Sequence, residues 1–214
     1  MVLPPLPPLV WPSPPRRYVM IGALIFICSL IELTLIAADF GLIGTRRWRM
    51  LWLQNGAFWA GLLTDWEPNY PSQPWLMFAT YAFLHAGVMH LLGNMLALAW
   101  IGPYILQRLG QRGFALLWIL TACGGALGFA VMSNAPAPMV GASGSIFGLL
   151  GALVALDYLE RGAIRAVINM TFVLILMNVA MLVLERGSLA WETHLGGYLT
   201  GLLVIAVLNP KVPE

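Results

Sequence analysis

Charged residues are scarce in this chain, and their scarcity excludes most soluble folds. Only 9% of the 214 residues are Asp, Glu, Lys or Arg, whereas 60% are hydrophobic. A soluble domain of ordinary composition carries about 25% charged residues. The longest apolar runs reach the roughly 18 residues that indicate a membrane span. The composition therefore predicts an all-α integral membrane protein that folds as a single bundle and has the lipid bilayer as its surroundings.

Cysteine and basic charge are also sparse. The two cysteines, Cys28 and Cys123, lie in separate apolar runs, as is typical of small buried side chains. Neither their number nor their spacing indicates a disulfide framework or a cysteine metal cluster. The formal net charge is only +2, and no basic patch is interleaved with aromatic residues. These features argue against a nucleic-acid partner.

The N-terminal stretch "MVLPPLPPLVWPSPPRR" is interrupted by prolines, so it cannot be helical throughout. It lacks the basic-then-apolar order of a cleavable signal peptide. We expect residues 1–17 to form a short cytosolic tail and residues 210–214 to form a cytosolic C-terminus. Between them, residues 18–209 should form a core of six apolar spans, at Tyr18–Ala38, Ala86–Leu106, Phe114–Met132, Ser143–Leu156, Ala163–Leu184 and Leu195–Leu208.

An even number of spans places both termini on the same side of the membrane. Basic residues concentrate on the cytoplasmic side of membrane proteins. The side that holds the termini carries seven of them and the other side four, which favours cytoplasmic termini. The seven are Arg16, Arg17, Arg108, Arg112, Arg161, Arg165 and Lys211, and the four are Arg46, Arg47, Arg49 and Arg186.

The first external loop, residues 39–74, is long for a small bundle and, with its exit, is rich in tryptophan. Tryptophan is favoured at the level of the lipid headgroups because its ring is amphipathic. We therefore expect this segment to lie in the interface at the outer face of the membrane, rather than to form a water-soluble loop. The residues concerned are Trp48, Trp52, Trp59, Trp66 and Trp75.

The few reactive polar residues converge at one depth. All three histidines, His85, His90 and His194, fall at the outer ends of spans that run inward, and Ser143 falls at a similar level. About fourteen residues separate Ser143 from Asp157, or roughly 21 Å of helix, whereas the hydrocarbon core is about 30 Å thick. Ser143 is thus expected below the outer surface, where a polar group must line a cavity or find partners.

Glycines surround this serine. Gly141 and Gly144 lie on either side of Ser143 and permit a tight turn from loop into helix. Small residues let membrane helices approach closely, and we expect them to bring Ser143 towards His194. They follow one face of each helix, at Gly144, Gly148 and Gly151 in the fourth span and at Gly197 and Gly201 in the sixth.

These residue types suit acyl transfer. A serine hydroxyl needs a neighbouring base to become nucleophilic, and His194 is the best-placed base for Ser143. His90 and Asn94, four residues apart on one helical face, can donate hydrogen bonds to a developing oxyanion, as can the backbone N–H of Ser143 at a helix N-terminus. No carboxylate is well placed to orient His194, and Glu192 is expected to be a solvated loop residue. The prediction is a Ser–His dyad with an oxyanion hole.

The stretches "HAGVMHLLGN", "GASGSIFGLLG" and "HLGGYLTG", in that order, resemble the rhomboid family of intramembrane serine proteases. The resemblance implies a six-span bundle with a membrane-embedded first loop. It also implies a nucleophile at Ser143, a base at His194 and oxyanion stabilisation by His90 and Asn94. Substrates of this family are other membrane proteins, cut in or near a transmembrane segment, and no metal or cofactor is used.

The chain departs from the family pattern twice. Members often carry a Trp-Arg pair shortly before the first histidine, but here Trp75 is followed by Leu76, and the only "WRM" lies upstream at Trp48–Met50. Many members also have tyrosine four residues after the serine, where this chain has Phe147. An aromatic ring can still pack under His194, but the hydrogen bond of a tyrosine hydroxyl is lost.

Several polar residues have structural interpretations instead. Ser145, the rival hydroxyl, is expected to pack or cap. His85 can contact substrate or oxyanion, or can hydrogen-bond to the first loop. Glu32, midway along the first span, is expected to be protonated or hydrogen-bonded in a structural role. Asn169 and Asn178 are expected to hold helices together.

Three function classes fit a chain of this kind. The first is a serine endopeptidase that acts on transmembrane proteins in a bacterial plasma membrane. The second is a catalytically silent rhomboid-like protein that binds membrane clients, although such relatives usually lack the serine or the histidine. The third, a three-histidine metal site or a transporter, leaves the glycine–serine turn unexplained, and no internal repeat supports it.

Overall fold

The computed structural model describes residues 18–133, 136–162, 164–184 and 189–208, and the regular secondary structure of these residues is helical, with no strand beyond one isolated backbone bridge. The tails predicted at 1–17 and 210–214 lie outside them. Short 3₁₀ turns at Ala60–Leu63 and Tyr81–Phe83 accompany seven α-helices: α1 (Val19–Asp39), α2 (Trp48–Gly56), α3 (Gln73–Thr80), α4 (Val88–Met132), α5 (Ser143–Arg161), α6 (Ile164–Leu184) and α7 (Trp191–Leu208).

Within the described residues, four helices are long and apolar enough to cross a membrane, namely α1, α4, α5 and α7. A shorter apolar stretch, Val167–Val183, lies in α6. The 45 residues of α4 cover the second and third predicted spans, and Gly110, with φ of 67°, interrupts the regular helix between them. The all-helical membrane class is confirmed, whereas the count of six spans stays a prediction.

Helix boundaries differ from the predicted spans where local chemistry decides them. The second span begins at Val88, not Ala86, because Gly87 adopts φ of 115°. The fourth continues past Leu156 to Arg161, where Arg161 Nε pairs with Asp157 Oδ1 at 2.9 Å, one turn apart. Such pairs stabilise the exposed end of a helix.

The sixth span also begins earlier than predicted, at Trp191 rather than Leu195. His194 therefore lies inside the first turn of α7. Glu192, predicted to be a solvated loop residue, is instead helical and only 9% exposed. That prediction was wrong because the helix begins before the apolar run does and includes the polar stretch "WETH", Trp191–His194.

The predicted loop at 39–74 is not simply a loop. It contains α2 and one 3₁₀ turn, and α3 begins at its end. Phe58 and Met139 exchange two backbone hydrogen bonds, of 3.0 and 2.9 Å, which join this region to the segment before α5. Thr80 Oγ1 donates to the carbonyl of Gly56 at 2.7 Å. The first loop is thus fastened to the chain just upstream of Ser143.

Glycines set the closeness of the central pair of helices, α5 and α7. A Cβ on Gly197 would overlap the carbonyl oxygen of Gly144, and a Cβ on Gly201 would overlap that of Gly148. In the other direction, a Cβ on Gly151 would overlap the carbonyl oxygen of Tyr198. The two backbones are therefore in direct contact, as the small-residue faces predict.

We expect Gly201→Ala to lower the free energy of unfolding by at least about 2 kcal/mol, because the new methyl group must displace backbone rather than a flexible side chain. Gly22→Ala in α1 is the matched control, since no atom of the described residues lies within 4 Å of its Cβ position. It should be neutral or slightly stabilising. Thermal unfolding of both variants in detergent tests this, and equal midpoints would contradict the close crossing.

Candidate active site

Ser143 is the first residue of α5, and the turn before it requires glycine. Gly141 has φ of 122°, which side-chain-bearing residues rarely adopt, and its N–H donates to the carbonyl of Tyr81 at 3.0 Å. Ser143 is half-buried, and neither it nor the preceding Ala142 caps the helix with a side-chain hydrogen bond. The simplest structural role for this serine, a helix cap, is therefore not used.

His194 is buried at the start of α7 and is held by two contacts. Its ring lies flat on Phe147, with centroids 4.1 Å apart and planes 4° apart. Its Nδ1 lies 2.8 Å from Oδ1 of Asn178 in α6. Because Phe147 is one helical turn after Ser143, the stack brings His194 to the N-terminal end of α5.

Close contact between α5 and α7 also brings Ser143 near His194. A Cβ on Gly144, the residue after Ser143, would lie 2.8 Å from Cγ2 of Thr193, the residue before His194. The same Cβ would lie 2.7 Å from the hydroxyl of Tyr81. Glycine at this position lets the serine turn fit between α7 and the 3₁₀ turn that carries Tyr81.

His90 and Asn94 face the serine turn from α4. A Cβ on Gly141 would lie 2.7 Å from Cε1 and Nε2 of the His90 ring and 3.6 Å from Nδ2 of Asn94. The N–H of Ala86 donates to Nδ1 of His90 at 3.4 Å, which leaves Nε2 as the ring's N–H donor. Nδ2 of Asn94 is buried and has no hydrogen-bond partner among the described residues. Two side-chain donors are thus directed at the loop two residues before Ser143.

His85 does not make the predicted side-chain hydrogen bond to the first loop. Its ring is buried, and neither ring nitrogen has a partner within the described part of the chain. The rings of His85 and His90 pack edge to face, with a centroid distance of 5.3 Å. Burial and the neighbouring His90 lower the pKa of His85 to about 4, so it is uncharged at neutral pH. The bond to the first loop runs instead through its backbone carbonyl, which accepts from Arg49 at 3.4 Å.

Arg49 is the residue that sequence reasoning undervalued. Its Nη1 lies 3.0 Å from Oε1 of Glu32, and its Nε lies 2.6 Å from Oδ2 of Asp39. Glu32, expected to be protonated or hydrogen-bonded in a structural role, is fully buried and paired with this guanidinium. The pair ties α1 to α2 and, through His85, to the entrance of α4. The "WR" letters at Trp48 and Arg49 were the available signal.

Not all of the candidate site residues are connected by hydrogen bonds in the structure. No hydrogen bond connects the Ser143 hydroxyl to His194 among the described residues, although their helices are in contact. Catalytic hydrogen bonds are often long before substrate binds. Ser145 behaves as predicted for a packing residue: it is buried and donates to the carbonyl of Trp118 at 3.1 Å.

The described residues contain no group of three or more His, Cys, Asp or Glu side chains arranged to hold a metal ion. A cavity of about 450 Å³ lies between α1, α2 and the end of α3, lined by residues such as Ile31, Trp52 and Thr80. None of the candidate site residues lines it. The polar cluster at the N-terminal end of α5 is therefore the candidate site.

Comparison with known proteins bears directly on this cluster. The model of the Rhomboid domain matches residues 71–211, a segment that holds all of the candidate site residues. The chain belongs to the rhomboid family. This confirms the resemblance drawn from the three histidine, serine and glycine motifs, and with the long apolar helices it identifies a multi-pass integral membrane protein.

Similar rhomboid proteins come from plants and bacteria. The chain is 36% identical to RHOMBOID-like protein 1 of Arabidopsis thaliana over 64% of its own length and 36% of that protein. It is 33% identical to RHOMBOID-like protein 5 of the same plant over 60% of this chain and 43% of the relative. It is 30% identical to Rhomboid protease GluP of Bacillus subtilis over 64% of this chain and 27% of the relative. The chain thus spans less than half the length of these relatives.

Proposed function

We propose that this rhomboid is an intramembrane serine endopeptidase that cleaves transmembrane segments of other membrane proteins. The observation that carries the proposal is the packing at the N-terminal end of α5. There, an uncapped serine lies one turn before the aromatic ring on which a buried histidine is stacked. The name of one relative, Rhomboid protease GluP, supports the same chemistry.

In the proposed mechanism His194 removes the proton from Ser143 as the hydroxyl oxygen attacks the peptide carbonyl. The negative charge that develops on the carbonyl oxygen is stabilised by the N–H of Ser143, Nε2–H of His90 and Nδ2–H of Asn94. The unpartnered amide of Asn94 supports this role, because a buried donor without a partner is costly unless a ligand uses it. His194 then protonates the leaving amine, and water releases the acyl group.

The supporting residues have passive roles in this proposal. Gly141 and Gly144 shape the serine turn, Phe147 holds the His194 ring, and His85 packs against His90. Gly197 and Gly201 allow the close crossing of α7 with α5. No metal or cofactor takes part in any step.

We also propose the architecture and the location that the sequence predicts. The core at 18–209 would cross the membrane six times, with α4 counted as two spans and α6 as one, and with the first loop at 39–74 embedded in the outer interface. The tails at 1–17 and 210–214 would lie in the cytoplasm of a bacterium, with the core in its plasma membrane. Exposed tryptophans in and after the first loop, such as Trp66 and Trp75, support an interfacial position.

A reconstituted preparation tests the proposed activity. Purified protein in lipid vesicles should cut a model single-span substrate near or within its membrane segment. Cleavage should persist in the presence of a chelator and stop after treatment with a fluorophosphonate. If the folded protein instead retains the intact substrate without cutting it, the chain is a client-binding rhomboid and the proposal is wrong.

A further inference from the structure

His194 is hydrogen-bonded to Asn178, which lies on a helix that carries no residue of the proposed dyad or oxyanion hole. Asn178 lies in α6, and its Oδ1 is 2.8 Å from Nδ1 of His194. An amide oxygen only accepts hydrogen bonds, so the proton of the neutral imidazole must be on Nδ1. The lone pair is then on Nε2, which becomes the basic nitrogen of the ring.

Two contacts together fix the histidine completely. The stack on Phe147 fixes the plane of the ring. It still permits a 180° rotation about the Cβ–Cγ bond, which keeps this plane and exchanges the positions of Nδ1 and Cδ2. The hydrogen bond from Nδ1–H to Asn178 allows only one of the two flipped orientations. The stack and the hydrogen bond therefore select both the orientation and the tautomer of His194, which is the task of the third residue in hydrolytic triads.

An amide is well suited to this task inside a membrane. A carboxylate would orient the ring and also stabilise the imidazolium, but it would place a second ionisable group among apolar helices at considerable cost. Asn178 is half-buried on a helix whose other described side chains are largely apolar and exposed. Its neutral amide can orient the His194 ring without adding a charged group to the membrane.

We propose that Asn178 is a positioning residue that holds His194 in the Nδ1–H tautomer with Nε2 towards Ser143. This inference rests on the proposed protease function, and it replaces the earlier interpretation of Asn178 as a residue that only holds helices together. The functional unit is then Ser143, His194 and Asn178, contributed by α5, α7 and α6.

The chain contains a matched control for a purely structural role. Thr171 Oγ1 and the hydroxyl of Tyr198 lie 2.6 Å apart and also join α6 to α7. Thr171 is seven residues before Asn178 and so lies on the same face of α6. Thr171→Val removes a hydrogen bond between the same two helices without touching His194.

Kinetics separate positioning from helix association. Asn178→Leu keeps the side-chain size but removes the acceptor, and it should slow labelling by a small fluorophosphonate and lower kcat by roughly 10- to 100-fold, with KM little changed. Asn178→Asp, which keeps an acceptor oxygen, should recover much of this loss. Thr171→Val should label at the wild-type rate. Equal labelling rates for Asn178→Leu and Thr171→Val would overturn the proposal.

Nitrogen NMR tests the inference independently of activity. The chain has only three histidines, so ¹⁵N-histidine labelling yields few signals, and His194→Ala assigns the relevant ones. Wild type should show His194 protonated at Nδ1, and Asn178→Leu should show a mixture of tautomers. Protonation at Nε2 in wild type would overturn the proposal even if the protein is an active protease. Inactive wild type with the Nδ1–H tautomer would refute the proposed function and leave the positioning role supported.

Discussion

Replacing Ser143 by alanine is expected to reduce cleavage of a transmembrane substrate by at least about 10⁴-fold, because no other group takes over from the nucleophile of a serine hydrolase. The fold should be unaffected. Ser143 makes no side-chain hydrogen bond among the described residues and does not cap α5, and alanine suits the first turn of a helix. The measurement is the rate of substrate cleavage in vesicles, with thermal unfolding of the same preparations alongside.

Ser145→Ala is the matched control, since it removes the other hydroxyl of the same turn. It breaks the hydrogen bond to the carbonyl of Trp118 and should cost about 1 kcal/mol of stability. Its cleavage rate should stay close to that of wild type. Ser143→Ala is thus expected to lose activity and keep its stability, whereas Ser145→Ala should lose some stability and keep its activity. Loss of activity in Ser145→Ala with retention in Ser143→Ala would reverse the assignment of the nucleophile.

The second large effect is expected at Arg49. Arg49→Ala leaves the carboxylate of Glu32, which is fully buried in α1, without its partner. Removing one member of a buried ion pair costs about 3–5 kcal/mol. We expect a loss of about 3 kcal/mol, at the low end, because the Arg49 side chain is 23% exposed to solvent. Thermal unfolding in detergent measures this loss.

Two further variants make the Arg49 prediction specific. Arg47→Ala, two residues earlier and exposed, should have little effect on the unfolding midpoint. The double variant Arg49→Met/Glu32→Leu should be more stable than Arg49→Ala, because it leaves no buried carboxylate behind. If Arg49→Ala and Arg47→Ala unfold at the same temperature, the pair does not hold the first loop on α1.

The sequence was most informative about the turn that carries Ser143. A glycine that must adopt positive φ and a serine at a helix start are local features, and Gly141 and Ser143 occupy these positions in the structure. The small-residue faces also predicted the close crossing of α5 and α7, because glycines on one face of each of two apolar helices allow their backbones to approach closely. Such features depend on short stretches of chain and on steric rules.

Contacts between distant segments could not be predicted in the same way. α6 is apolar around most of its circumference, so periodicity does not show which face meets α7, and Asn178 could not be paired with His194. The pairing of Arg49 with Glu32 depends on how the first loop folds against α1, which composition does not encode. The burial of Glu192 is not evident from the sequence, because a helix in a membrane protein can begin before its apolar run does.

The central claim is that Ser143 is a nucleophile activated by His194, and mass spectrometry of the labelled protein tests it most directly. Wild-type protein would be treated with a fluorophosphonate, digested and mapped by peptide, with His194→Ala treated in parallel. We predict one phosphonylated residue, Ser143, in wild type and no label in folded His194→Ala. A label on Ser145, or an unlabelled Ser143 in folded wild-type protein, would contradict the account.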